Sequence, residues 1–110
     1  MNDDVRKWLT DIVTAINNID FHLGHKRDFT AYQANITIRR AVERELEIIG
    51  EATSRILKID STIAISNARR VVDLRNRVIH AYDAVDDVIV WSVIVSSLPT
   101  LKQEAEQLLS

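Results

Sequence analysis

The stretch ITIRRAVERELEIIGEATSRILK, residues 36–58, decides the fold. Within it Ile38, Val42, Leu46, Ile49, Thr53 and Ile56 recur at steps of three and four. That period lays them along one stripe of an α-helix, close to a heptad seam. Between them stand Glu43, Glu47 and Glu51 against Arg40, Arg44 and Arg55. Residues three or four apart on a helix are neighbours, so helix ion pairs are the expected role of these charges. A carboxylate metal site is the other reading of the three glutamates. Gly50 lies inside the run and costs ~1 kcal/mol against alanine in a helix interior. No turn residues surround it, so its expected use is the close approach of another helix. Traced back towards Asp28 or Thr30, the run predicts a long second helix of about 30 residues, ~45 Å in length.

The same period extends outward. Val5, Trp8, Ile12, Ala15 or Ile16, and Ile19 predict a first helix, with Asp3 or Asp4 as its cap. Asp20 to Asp28 holds Gly24, His22 and His25 and reads as a loop. Its histidines and aspartates are metal-ligand types, but no second cluster completes a site, so a solvated loop is preferred. On the other side, Asp60 to Asn67 reads as a connection, with a short helical turn at Thr62 to Ile65. Asn67 is placed to cap a third main helix running from Ala68 to about Ala81. Asp83 to Asp87 is acidic and turn-like, and Asp86 or Asp87 can cap a last helix starting at Val88. Val88 to Val95 is β-branched and would pass for a buried strand by propensity. A helix is expected there because no partner strand is visible and helical spacing resumes to Leu109. Pro99 kinks that helix or opens a new one. Trp8 and Trp91 sit in apolar runs and are expected in the core rather than as base-stacking platforms.

The sum is an all-α fold: a compact antiparallel bundle of four to five helices, one domain spanning 1–110. Composition agrees. The 110 residues are 46% hydrophobic and 27% charged, the balance of an ordinary globular domain. With no cysteine, thiol catalysis, disulfides and cysteine-bound metals are excluded. Two glycines and one proline leave no material for a glycine-rich phosphate loop. No apolar run approaches the ~18 residues of a membrane span, and the charged N-terminus lacks a signal-peptide pattern. A cytoplasmic location without membrane contact is the expectation. The net charge of −2 argues against nonspecific coating of nucleic acid.

The charge is nevertheless polarised. Between Asn67 and Tyr82 four arginines (Arg69, Arg70, Arg75, Arg77) face one acid, Asp73; after Tyr82 five acids face one lysine. The basic segment contains Arg75-Asn-Arg-Val-Ile-His-Ala-Tyr82. Arginine holds a phosphate through paired hydrogen bonds and neutralises charge in a phosphorane-like transition state. Histidine exchanges protons near neutral pH. Asn76 adds donors and acceptors, and Arg77 and Arg70 are further candidate phosphate contacts. These are the parts of a metal-independent, cofactor-free RNA cleavage in which the RNA's own 2′-OH attacks; DNA, lacking that hydroxyl, is not an expected substrate. On an ideal helix Arg75 and His80 stand about 140° apart. Two copies related by a twofold axis would pool two arginines and two histidines in one cleft, with Tyr82 at its border. A solvated helix face ending in a histidine fits the same spacing.

Arg75-x4-His80-x-Tyr82, with Asn76 after the arginine, resembles the R-x4-H-x-Y signature of HEPN-domain toxins of the HepT kind. Leu46-Glu-Ile-Ile-Gly-Glu-Ala52 resembles the second-helix signature of that family, and Leu74 to His80 the segment around the motif. The resemblance covers essentially the whole chain. It implies a homodimer with the motifs at its interface, metal-independent RNase activity, and catalytic roles for Arg75, Asn76 and His80. It also implies a partner, the small nucleotidyltransferase antitoxin of a type VII toxin–antitoxin pair, which adds AMP to Tyr82. Ala81 stands where such proteins commonly have glycine, and Ser66 to Val72 lacks their usual proline and tryptophan. The rival reading is a non-catalytic module of the same fold, an accessory to a nucleotidyltransferase.

Overall fold

The computed structural model describes residues 1–79 and 86–110. Six α-helices lie within them: α1 (Asp3–His22), α2 (Phe29–Ala34), α3 (Ile36–Ile59), α4 (Ala68–Ile79), α5 (Asp87–Ser92) and α6 (Leu98–Leu109). No strand occurs among the described residues. The all-α bundle expected from the helical period is the fold observed.

α1 and α3 run antiparallel and form its backbone. Near one end Asn18 donates to Glu45, and towards the other Trp8 and Ala52 line a common groove. α6 lies along the other side of α1, also antiparallel: the Arg6 guanidinium donates to the carbonyl of Leu109, at 3.3 Å. The core sits where the three apolar stripes meet, with Leu9, Ile12, Val42, Ile49, Ile56 and Leu101 fully buried. Burying one such side chain is worth roughly 1.5–3 kcal/mol. Thr53 keeps its place in the α3 stripe because its hydroxyl donates to the Ile49 carbonyl at 2.7 Å, which satisfies it without water.

Four local readings need correcting. The loop expected from Asp20 to Asp28 begins only after His22, where α1 ends. The first helix is capped by Asn2, whose side-chain oxygen Oδ1 accepts from the backbone amides of Asp4 and Val5, and not by Asp3 or Asp4. The expected 30-residue helix is two helices. At Asn35 the backbone is extended, and the Asn35 side chain accepts from the Ile38 amide at 3.0 Å. Asn35 therefore ends α2 and caps α3, which is an ordinary use of asparagine. Thr62 to Ile65 is not a helical turn: Asp60 Oδ1 accepts from the Thr62 amide and hydroxyl, an Asx arrangement that turns the chain.

The C-terminal rod follows its expectation more closely. Asp86 caps α5 through the amides of Val88 and Ile89. Val88 to Val95 is helical despite its β-branched residues. It opens in α5 and passes into a π-helical stretch, Val93–Ser97, before α6. Pro99 lies in the first turn of α6. Lacking an N–H, it cannot continue the regular ladder, and the wider π turn beside it absorbs the mismatch.

Two connections set the frame of the basic helix. The Ser66 amide and hydroxyl both donate to the Glu104 carboxylate, tying the entry of α4 to α6. Beyond the motif, Trp91 of α5 packs against Phe29 and Tyr32 of α2, and Arg39 of α3 pairs with Asp87 at 3.6 Å. Trp91 and Trp8 thus both pack on the core, as expected. Burial drives the Tyr32 phenol well above its ordinary pKa, so it stays neutral.

Candidate active site

α4 is a short amphipathic helix. Val71 and Leu74 are buried against the bundle, while Arg69, Arg70, Asp73 and Arg77 face outward. Ala68 starts it, with the Val71 amide donating to the Asn67 carbonyl and Asn67 itself at φ 60°. Asparagine tolerates that left-handed conformation better than most residues.

Arg75 lies where α4 presses on α3, at Gly50. A Cβ on Gly50 would overlap the Arg75 Cβ and Cγ. Gly50 thus has the use its sequence context suggested, and the side chain it admits is the motif arginine. Replacing Gly50 by alanine forces apart two backbones rather than a flexible side-chain tip. The steric cost of about 1–3 kcal/mol outweighs the ~1 kcal/mol gain in helix propensity. The expected result is a melting temperature lower by roughly 5–10 °C, read by circular dichroism; an unchanged or raised Tm would refute the close contact.

From Gly50 the Arg75 side chain reaches the carboxylate of Glu51, to which Nη2 donates at 2.6 Å. Nη1 donates to Oδ1 of Asn76 at 3.0 Å. The guanidinium is thus fixed from two sides and remains 27% exposed. It opens on a groove of about 360 Å³ between α1 and α3, bordered by Lys7, Trp8, Arg44 and Glu47. Glu51 also accepts from Arg55 Nε at 2.8 Å. That bond holds the Glu51 carboxyl below its ordinary pKa; burial opposes it, and the charge of Arg75 adds to the lowering. Glu51 is therefore an anion at neutral pH.

Of the expected site residues, Arg75 and Asn76 are brought into direct contact. Arg70 and Arg77 lie elsewhere within one chain. They border a second cleft, of about 480 Å³, on the other flank of α4, together with Arg69, Asp73 and the apolar side chains of Ile89 and Val93. Arg70 is held there by a 2.7 Å bond to the Ser92 hydroxyl. His80, Ala81 and Tyr82 fall outside the described residues. The other candidates take the plainer of their two roles. Glu43, Glu47 and Glu51 form ion pairs with Arg40, Arg44 and Arg55, respectively. His25 bonds Asp20 at 2.6 Å, and this contact followed by that of Arg27 lowers the Asp20 pKa. Among the described residues no three His, Cys, Asp or Glu side chains gather as a metal site. No helix among them is long and apolar enough to cross a membrane.

Comparison with known proteins decides the family. The family model described as "Ribonuclease HepT-like" matches residues 12–108, a span that includes Gly50, Glu51 and the whole Arg75–Tyr82 motif. The chain belongs to the HepT-like ribonuclease family. This HepT-like chain is 35% identical over 105 residues to a protein of Methanocaldococcus jannaschii named "Putative RNase MJ1380", covering 94% of each chain. It is 31% identical over 104 residues to "Probable ribonuclease HepT" of Thermococcus cleftensis, again covering 94% of each. A second M. jannaschii protein, "Putative RNase MJ0125", is 30% identical over 107 residues, 96% of this chain and 91% of the relative. No solved structure matches at a significant level. Membership of this family supports a ribonuclease.

Proposed function

We propose that the chain is the ribonuclease toxin of a type VII toxin–antitoxin pair. It cleaves RNA without a metal ion, in a cleft that two copies build together. The observation that carries this reading is the setting of Arg75: a motif arginine in a HepT-like ribonuclease, its guanidinium fixed between Glu51 and Asn76 and still open to a groove. A partly exposed, oriented guanidinium suits a phosphate that must arrive from solvent. The terminal N–H groups not engaged by Glu51 and Asn76 are open to phosphate oxygens.

The chemistry follows from the substrate. The 2′-OH of one nucleotide attacks the adjacent phosphorus, forming the 2′-O–P bond and breaking the P–O5′ bond. The products are a 2′,3′-cyclic phosphate and a 5′-hydroxyl. One His80, as neutral imidazole, takes the 2′-OH proton; the His80 of a second copy, as imidazolium, gives a proton to the departing 5′-oxygen. Arg75 stabilises the extra charge on the pentacoordinate phosphorus, and Asn76 helps to orient both arginine and substrate. Pairing two copies about a twofold axis supplies the second histidine, and the arginine-lined cleft on the outer flank of α4 gives the RNA backbone further cations in Arg70 and Arg77.

The test joins three readouts. Expressed alone the protein arrests growth; purified, it has twice the 12.6 kDa chain mass by light scattering; and it cleaves RNA to cyclic-phosphate ends at a rate unchanged by EDTA. A chain that neither arrests growth nor cleaves RNA is instead an accessory module for a nucleotidyltransferase. A monomer at micromolar concentration would end the composite-cleft mechanism.

A further inference from the structure

We infer that Glu51 is the positioning residue for Arg75: its carboxylate sets the direction in which the guanidinium meets the scissile phosphate. The inference rests on the ribonuclease reading above and goes beyond it by assigning a role to α3. Two stretches far apart in sequence, the Gly50-Glu51 pair and the Arg75-Asn76 pair, meet at one point. Gly50 admits the root of the arginine side chain, and Glu51 binds its tip at 2.6 Å.

An arginine on a surface helix samples many rotamers, and fixing it when RNA binds costs free energy that would otherwise lower the barrier. Here that ordering is done in advance. The Gly50 contact holds Cβ and Cγ. Glu51 engages Nη2, Asn76 engages Nη1, and Nε is buried, with no partner among the described residues. Only the outer edges of the two terminal nitrogens remain for an incoming phosphate. Glu51 is itself anchored from its other side, since Arg55 holds Oε1 while Arg75 takes Oε2. A carboxylate tied at both oxygens is a stiffer guide than a free one.

The same carboxylate repels the RNA phosphate, which makes the test selective. Removing a mere prop of the fold would weaken substrate binding and turnover together. Removing a positioning anion frees Arg75 to wander while deleting a negative charge from the cleft, so kcat falls and KM does not rise. The expected result for Glu51→Ala is a kcat lower by roughly 10–100-fold, the scale of an ångström-sized misplacement, with KM equal to or below that of the wild type. Glu51→Gln keeps an oxygen acceptor for Nη2 and recovers part of the lost kcat. Arg40→Ala breaks a similar ion pair on the same helix, remote from Arg75, and leaves both constants unchanged. All four proteins are assayed on one RNA, with helix content checked by circular dichroism. A wild type that does not cleave RNA overturns the ribonuclease reading and this inference with it. A wild type that cleaves, beside Glu51→Ala and Glu51→Gln proteins of wild-type kcat, overturns the inference alone. So does a Glu51→Gln protein that folds but shows a raised KM at unchanged kcat.

Discussion

RNA cleavage falls by roughly 10²–10⁴-fold when His80 is replaced by alanine, and by roughly 10²–10³-fold when Arg75 is. The first figure is the usual worth of a general acid–base group, and the second that of one preorganised contact to developing charge. Both changes also relieve the host of growth arrest. The two variants fail for different reasons, and this is measurable. In the proposed composite cleft His80→Ala would remove proton transfer from both halves, and the expected residual rate lacks the bell-shaped pH dependence of an acid–base pair. Arg75→Ala leaves the two imidazoles in place, and its slower reaction keeps the pH profile.

Arg75→Ala carries a complication that the structure makes explicit. The Arg75 stem fills the space opposite Gly50, and its loss also leaves Glu51, among the described residues, with Arg55 alone as a bonded partner. Arg75→Lys separates the effects. It keeps the stem and one positive charge, but a lysine cannot reproduce the fork that binds Glu51, Asn76 and phosphate at once. The Lys variant is therefore expected to fold with wild-type helix content and still lose most of the rate. Cleavage at the full rate by folded His80→Ala protein would falsify the catalytic assignment.

Much of this architecture was legible because helix period and burial report the same thing. Ile38 to Ile56 marks the inner stripe of α3, and Val5 to Ile19 that of α1, with Ile38 and Trp8 only part-buried at the edges. The break at Asn35 was not legible, since no glycine or proline lies between Asp28 and Asn35 to mark it, and apolar residues resume at once with Ile36 and Ile38. The rod is interrupted where the Ile38 amide donates to the Asn35 side-chain oxygen, and this leaves no mark on the apolar pattern. The π-helical stretch before Pro99 is hidden in the same way, because a single wide turn shifts the ladder without changing residue types.

At the site, sequence spacing shows which charges can meet within a helix and is silent about those that meet between helices. Glu51 had a sufficient partner four residues away in Arg55, so nothing required another. Its bond to Arg75, 24 positions on, exists only because α4 crosses α3 at Gly50. Gly50 was the one outward sign: a glycine inside a helix with no turn around it implies a close neighbour, though not which one. The separation of Arg70 and Arg77 from Arg75, on opposite flanks of α4, follows from helix angles of about 140° and 200°.

Incubated with the proposed nucleotidyltransferase partner and ATP, the protein is expected to gain one AMP at Tyr82 and to stop cleaving RNA. In the transfer the Tyr82 oxygen attacks the α-phosphorus of ATP, the new O–P bond replaces the bond to the β-phosphate bridging oxygen, and pyrophosphate leaves. Tyr82 lies outside the described residues; on an ideal helical period the seven positions from Arg75 would bring it within about 20° of the same face. The adduct would bring a phosphodiester charge, a ribose and an adenine to the mouth of the cleft. Its phosphate is chemically the group that Arg75 is set to receive, joined to the protein and therefore present at a high effective concentration. Because Arg75 is already oriented by Glu51 and Asn76, the tethered phosphate needs no rearrangement to occupy its free N–H groups, and the nucleoside closes the groove to RNA. Inhibition by occupancy predicts that circular dichroism and melting behaviour stay those of a folded protein while activity disappears. Intact mass shows a single AMP on the wild type and none on Tyr82→Phe, which stays toxic in the presence of the antitoxin. An adduct that persists in the Phe variant, or an AMP-bearing wild type that cleaves RNA at full rate, rules out control at this tyrosine.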